Sequence, residues 1–204
     1  MELREALVQI AEIRQTMARA EVFRGYRAGP VALSGLLAFG AAALQPLVAP
    51  EPTRQISAYL ALWIGAAVLS AVAAGAGMII AGAAASAWRR RITWLAVEQF
   101  VPCLVAGGLV TAVLVRGEPA WLGLLPGLWQ VLFSLGVFAS CRLLPRATFA
   151  VAVFYLATGV TTLAMARGEA VLAPWAMGLP FGFGQLLAAA ILYWTLERPD
   201  AETA

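Results

Sequence analysis

Glu98 is the residue whose type and position most directly suggest chemistry in this chain. It is the only acidic residue inside any long apolar run, and no arginine lies inside one. If its run crosses a membrane as a helix, Glu98 lies roughly 8–10 Å from the nearer end of the span. An ionised carboxylate there costs about 2.5 kcal/mol or more, so Glu98 is a candidate proton carrier. The alternative is a structural ion pair with one of the arginines at 89–91.

Two glutamines, Gln130 and Gln185, lie near the middle of later apolar runs. Each amide needs hydrogen-bond partners that hydrocarbon cannot supply, so both must face other helices or a cavity. One interpretation is a polar intramembrane binding site formed by Glu98, Gln130, Tyr155 and Gln185. The other is hydrogen bonding between helices, worth about 0.6–2 kcal/mol for each bond.

Prolines inside the apolar runs predict interrupted helices. A proline removes one backbone hydrogen bond and leaves a carbonyl without its donor, which is tolerated where polar groups can satisfy it. The segment Gly178-Leu-Pro-Phe-Gly-Phe-Gly184 combines one proline with three glycines, which makes it the most flexible part of any predicted span. It predicts either a hinge that gates a site or a static kink. The candidate gating or hinge residues are Pro102, Pro126, Gly178, Pro180, Gly182 and Gly184.

The composition argues against several other kinds of site. Histidine is absent and all 14 basic residues are arginine, which excludes histidine bases, histidine metal ligands and lysine Schiff bases. Cys103 and Cys141 lack the spacing of a metal or redox motif, and we expect no disulfide. We therefore expect no metal and no cofactor, and we do not expect an enzyme.

Long apolar runs are the elements that must position these residues. Of the 204 residues, 62% are hydrophobic and 12% are charged, a balance typical of a bilayer protein. We predict an all-α, polytopic integral membrane protein with six transmembrane helices, each of at least the roughly 20 residues that a span requires. The predicted spans are residues 30–49, 57–86, 93–115, 119–141, 147–166 and 171–194.

The beginning of the chain has a different pattern, which predicts a cytoplasmic amphipathic helix over residues 1–29. Its apolar residues recur at three- and four-residue spacing, and its acidic residues precede its basic ones. This helix either lies on the surface of its own domain or binds a partner through residues 1–27. The six-helix domain then covers residues 30–194, and we expect a disordered cytoplasmic tail over 195–204. The apolar positions are Leu3, Leu7, Ile10, Ile13 and Met17.

The distribution of arginine predicts the orientation of the chain. Only Arg54, Arg116 and Arg167 fall in the turns on one side, and the other arginines fall on the opposite side. Because basic residues are retained on the cytoplasmic side, both termini should be cytoplasmic. We predict a location in the bacterial inner membrane. The basic residues serve orientation, and no nucleic-acid partner is expected.

A weak internal similarity suggests a repeat of helical hairpins. The turn Arg116-Gly-Glu118 precedes the fourth span, and Arg167-Gly-Glu169 precedes the sixth. Aligning these turns also matches Gly108 with Gly159. The pattern predicts parallel repeats formed by spans three–four and five–six. Chance matching in a sequence rich in alanine, glycine and leucine is the alternative.

Two functional hypotheses of different kinds follow from these patterns. The first is a proton-coupled or small-solute transporter, with its polar site around Glu98. The second is a non-transporting membrane sensor or scaffold that works through its N-terminal helix and a partner protein. A homo-oligomer is compatible with either hypothesis, and an intramembrane enzyme acting on lipid is less well supported than both.

Overall fold

The computed structural model describes residues 27–83, 87–166 and 169–198, and this part of the chain is helical without any strand. Short 3₁₀ helices at Pro119–Leu124 and Glu169–Leu172 precede the fourth and sixth α-helices, and a π-helical turn, Tyr193–Glu197, continues the sixth. The α-helices are α1 (Ala28–Val48), α2 (Ile56–Ala83), α3 (Ala87–Arg116), α4 (Leu125–Ser140), α5 (Thr148–Ala164) and α6 (Pro174–Leu192).

In the described part of the chain, five helical segments have the length and hydropathy to cross a membrane, so this is a membrane protein by the character of its helices. The helix of the fifth predicted span, α5, has 17 residues. At 1.5 Å per residue it is about 25 Å long, whereas the hydrocarbon core is about 30 Å thick. Five of the six predicted spans are therefore matched by such segments, and the remaining span, that of α5, stays a prediction. The five segments are Ala28–Val48, Ile56–Ile80, Val97–Arg116, Pro119–Ser140 and Pro174–Glu197.

Two predicted regions reach the ends of the described chain. The N-terminal amphipathic helix falls mainly on residues 1–26, which lie outside the described residues, so it stays a prediction. At the other end, helical structure continues through Glu197 into Arg198. The helix thus extends into the region that we expected to be a tail.

Proline residues start helices as well as interrupt them. Pro174 is the first residue of α6, a position where its missing amide hydrogen is not needed. Pro126 lies where the 3₁₀ helix becomes α4, and the amide of Leu125 donates to the carbonyl of Leu122. A backbone hydrogen bond is therefore missing inside an α-helix at Pro102 and Pro180 but not at Pro126, and both helices continue through their prolines.

The helices pack in the order of the chain. Each of α1 to α5 contacts the next, and α6 returns to pack along α1 in the most extensive interface of the molecule. The exception is the pair α2 and α3, which barely touch. Helices α1, α4, α5 and α6 therefore form the packed core, with α2 lying on α1 and α3 lying on α4.

Glycines bring the backbones of the core helices close together. A Cβ atom on Gly35 of α1 would lie 2.9 Å from the carbonyl oxygen of Gly182 in α6. Across α4 and α5, a Cβ on Gly127 would lie 2.9 Å from the oxygen of Gly159, and a Cβ on Gly159 would lie 3.0 Å from that of Gly127. Because lipid tails provide no hydrophobic drive for helices to associate, this close van der Waals contact is a main source of stability.

Helices α2 and α3 have little burial. In the most apolar stretch of each, 6% of the residues are buried, against 39% in the segment that ends with α4 and 44% in the segment of α6. Apolar side chains such as Val72, Ile79 and Leu109 are more than half exposed. These two helices therefore present most of their surface to the surroundings of the chain.

An indole hydrogen bond closes each of the first two helical hairpins. Trp63 of α2 donates to the side chain of Gln45 in α1 at 2.9 Å, and Trp129 of α4 donates to the hydroxyl of Thr111 in α3 at 2.8 Å. In both hairpins the donor follows the acceptor by 18 residues. One side-chain hydrogen bond thus joins the two helices of each of these hairpins. The repeat of α3–α4 in α5–α6 stays a prediction.

Candidate functional site

The structure places three of the four predicted binding residues where α4, α5 and α6 meet. Gln130 of α4 and Tyr155 of α5 are fully buried, and Gln185 of α6 is partly buried. The fourth, Glu98, lies on the exposed surface of α3. The predicted site is thus divided between the core and the periphery of the molecule.

Gln130 supplies a hydrogen bond that Pro180 removes. In an α-helix the carbonyl of residue 176 would accept from the amide of residue 180, but proline has no amide hydrogen. The Nε2 atom of Gln130 donates to the carbonyl oxygen of Ala176 at 2.9 Å. Helix α6 accordingly runs without interruption through Pro180. The sequence predicted that polar groups would satisfy such a break, and Gln130 is that group.

The oxygen of the Gln130 amide differs from its nitrogen in having no bond to any described residue. Its Oε1 atom is buried and has no hydrogen-bond partner among the described residues. A buried acceptor left in this state costs about 1–3 kcal/mol, so it must be offset by the packing around it. The Gln130 nitrogen therefore stabilises α6, whereas its oxygen remains able to accept a hydrogen bond within the core.

Tyr155 lies in an aromatic cluster beside the same helices. Its ring centroid is 4.8 Å from that of Phe133, 5.6 Å from Phe154 and 5.3 Å from Phe181. A Cβ on Gly184 would lie 2.6 Å from the Tyr155 hydroxyl, so glycine at this position makes room for the hydroxyl. That buried hydroxyl has no hydrogen-bond partner in the described part of the chain.

Gln185 is a polar residue that lies close to this hydroxyl. Its side chain interacts with Tyr155 without reaching the geometry of a hydrogen bond. Ser134, one turn after Gln130, is fully buried and donates to the carbonyl oxygen of Ala152 at 2.8 Å. Polar groups on α4 thus contact both α5 and α6, mostly through backbone carbonyls.

Gln45 is a buried polar residue that the sequence analysis missed. Its side chain is 2% exposed, accepts from the indole of Trp63 at 2.9 Å and donates to the carbonyl oxygen of Leu172 at 2.6 Å. Both ends of the amide are satisfied, and it joins α1, α2 and the 3₁₀ helix before α6. The available signal was the residue type itself, a glutamine in an apolar run, which is the reasoning applied to Gln130.

Tyr59 of α2 was also missed. It is fully buried in the cluster that contains Trp63 and Leu125, and its hydroxyl has no hydrogen-bond partner among the described residues. Tyr59 and Tyr155 are thus two buried tyrosines with the same unmet hydroxyl at different places in the fold. They form a matched pair for experiments on the role of either group.

Glu98 occupies a different environment from the one predicted. The apolar stretch of α3 that can cross a membrane is Val97–Arg116, so Glu98 is its second residue and lies at its edge. Pro102, itself exposed, removes the amide that would bond the carbonyl of Glu98. Gln99 is exposed beside it. The side chains of Arg89 to Arg91 fall outside the described ones, so the predicted ion pair stays a prediction.

The predicted hinge glycines of α6 serve as contact points. Gly178 packs against Ala42, Gly182 against Phe39 and Gly184 against Tyr155. Each of these contacts leaves no space for a Cβ atom. The segment is therefore a closely packed part of a continuous helix, and its gating role stays a prediction.

A shallow groove of 520 Å³ lies between the start of α1 and the end of α6. The carboxylate of Glu197 reaches across it and accepts a hydrogen bond from the backbone amide of Ala28 at 2.8 Å. Gly29 leaves open space on the α1 side. The residues that line the groove are Ala28, Gly29, Ala32, Leu186, Ala189, Ala190, Tyr193, Trp194 and Glu197.

Within the described residues, no group of three or more acidic or cysteine side chains is placed to hold a metal ion, and Cys103 and Cys141 are free thiols. Comparisons with protein families, with curated proteins and with solved structures gave no significant match. The geometry of this chain is therefore what indicates its function.

Proposed function

We propose that this protein is a non-transporting membrane module that assembles with a second copy of itself through α2 and α3. The observation that carries the proposal is the polar group at Glu98 on the exposed surface of α3. Glu98 lies at the edge of the apolar stretch of α3, where a carboxylate next to lipid is stabilised by pairing with other polar groups. A partner surface would supply the polar contact that the described residues do not give to the Glu98 side chain.

The surroundings of Glu98 support this interpretation. Its side chain, the exposed side chain of Gln99 and a backbone carbonyl left without its helical donor by Pro102 lie within one turn of α3. Together they present both acceptors and donors at the edge of the apolar stretch. Such a cluster suits hydrogen bonding to another polar helix better than contact with lipid.

Helix α2 has a surface suited to close helix contact. Ala67, Ala71 and Gly75 recur every four residues, the first two are exposed, and a Cβ on Gly75 would meet no atom within 4 Å. Small residues at this spacing let the backbones of two membrane helices approach each other. Because α2 and α3 barely touch, both have surface free for this contact.

The internal polar residues support assembly over transport. Gln45 uses both ends of its amide within the fold, and Gln130 uses its donor to complete α6. A solute that bound these groups would have to displace bonds that hold the helices together. The fourth predicted ligand, Glu98, lies on a different helix surface.

Fluorescence energy transfer between donor- and acceptor-labelled copies in liposomes tests the proposal. We expect transfer above the chance level at low protein-to-lipid ratios. We also expect Glu98→Leu and Ala71→Leu each to weaken association by about tenfold, or 1.4 kcal/mol. Gly40→Leu is the matched control, because Gly40 is exposed on α1 with open space around it. A parent protein that is monomeric at every ratio would contradict the proposal.

Transport remains a second candidate because two buried polar atoms, Gln130 Oε1 and the Tyr155 hydroxyl, have no partner among the described residues. Such atoms suit a small polar solute or a proton relay. We expect liposomes with the parent protein to hold a pH gradient as well as empty liposomes do. Dissipation that disappeared in Tyr155→Phe but persisted in Tyr59→Phe would support transport and overturn the proposal.

A further inference from the structure

We infer that the groove between α1 and α6 binds one phospholipid with a primary-amine headgroup, of the phosphatidylethanolamine type. The groove lies at the ends of two apolar segments, Ala28–Val48 and Pro174–Glu197, so it opens towards one leaflet of the membrane. Hydrocarbon is the solvent at this depth. The walls are mostly apolar, and five of the nine lining residues are alanine or glycine, which leaves space for an acyl chain.

The aromatic residues at one end of the groove place its headgroup region. Tyr193 is 49% exposed and Trp194 is 60% exposed, and both line the groove in the π-helical turn that ends α6. Tyrosine and tryptophan concentrate at the membrane–water interface, where the ring meets lipid and the polar edge meets headgroups. An acyl chain in the groove would therefore extend from Glu197 towards Leu186.

The charge of the groove selects the headgroup. Of the nine residues that line it, Glu197 is the only charged one. One carboxylate oxygen of Glu197 accepts from the amide of Ala28, and a carboxylate has capacity for further donors. A primary ammonium donates hydrogen bonds to a carboxylate, whereas the trimethylammonium of a choline lipid has no N–H to donate. Arg27, next to Ala28 in the chain, is exposed and suits the phosphate.

Lipid retention tests the inference. The protein is exchanged into nanodiscs that contain equal amounts of phosphatidylethanolamine, phosphatidylcholine and phosphatidylglycerol. The lipid that stays bound after delipidation is measured by native mass spectrometry. We expect about fivefold enrichment of the ethanolamine lipid over the choline lipid. We expect Glu197→Gln to remove this preference, because glutamine keeps an acceptor for Ala28 but lacks the charge.

Two further variants complete the test. Glu51→Gln removes an exposed acid that pairs with Arg54 in the turn between α1 and α2, and it should leave the enrichment unchanged. Gly29→Leu should fill the groove and reduce all retained lipid, which keeps the inference testable if Glu197→Gln does not fold. Enrichment of phosphatidylglycerol to the same degree in the parent and in Glu197→Gln would overturn the inference. Cross-linking of residues 1–26 to Trp194 would overturn it by showing that the chain itself fills the groove.

Discussion

We expect Gly159→Ala to destabilise the protein by about 1–3 kcal/mol, because overpacking forces two helix backbones apart. The new Cβ atom would lie 3.0 Å from the carbonyl oxygen of Gly127 and 3.0 Å from the Cβ of Gln130. A backbone oxygen cannot move without shifting α4 as a whole. Since α4 also holds the Gln130 bond to α6, the disturbance should extend to the third helix of the core.

Gly108→Ala is the matched control for this substitution. Gly108 lies in α3, is exposed, and would place a Cβ atom with nothing within 4 Å. In a helix, alanine is favoured over glycine by about 1 kcal/mol, so this variant should be unchanged or slightly more stable. Equilibrium unfolding in mixed micelles measures both variants. Equal destabilisation of the two would contradict the close α4–α5 contact.

We expect Gln130→Leu to destabilise the parent protein by about 1–3 kcal/mol. The destabilisation should be clearly smaller when Pro180 has been replaced by alanine. Leucine fills the space of the side chain but leaves the buried carbonyl of Ala176 without a donor. In the Pro180→Ala background, residue 180 regains its amide hydrogen and can satisfy that carbonyl within the helix. The two substitutions should therefore be strongly coupled.

A double-mutant cycle measures this coupling directly. The four proteins are the parent, the two single variants and the double variant, each unfolded reversibly in mixed micelles. We expect an interaction energy of about 1 kcal/mol. Its sign should make Gln130→Leu less destabilising in the Pro180→Ala background than in the parent. Additive effects would mean that Gln130 stabilises the core in some way other than completing α6.

The sequence by itself determined the class of this protein and its helical elements. In hydrocarbon every backbone polar group must be satisfied within the chain, so long apolar runs become helices wherever they occur. The predicted runs correspond to the six α-helices of the described residues, although α5 is short for a span. The need of Gln130 for a partner was also clear from its residue type.

The identity of the partners depended on the tertiary structure. Nothing in the sequence connects Gln130 with Ala176, Gln45 with Leu172, or Glu197 with the first amide of α1. These bonds join residues far apart in the chain. Their geometry is set by how α6 returns to pack against α1, α4 and α5.

The tertiary structure also decided which residues face inward. The sequence grouped Glu98 with Gln130, Tyr155 and Gln185, but α3 presents Glu98 on its exposed surface while the other three lie at the helix junction. In water an apolar stripe marks the buried face of a helix. In a membrane the lipid outside is as apolar as the protein inside, so hydropathy identifies the helices without identifying their buried faces.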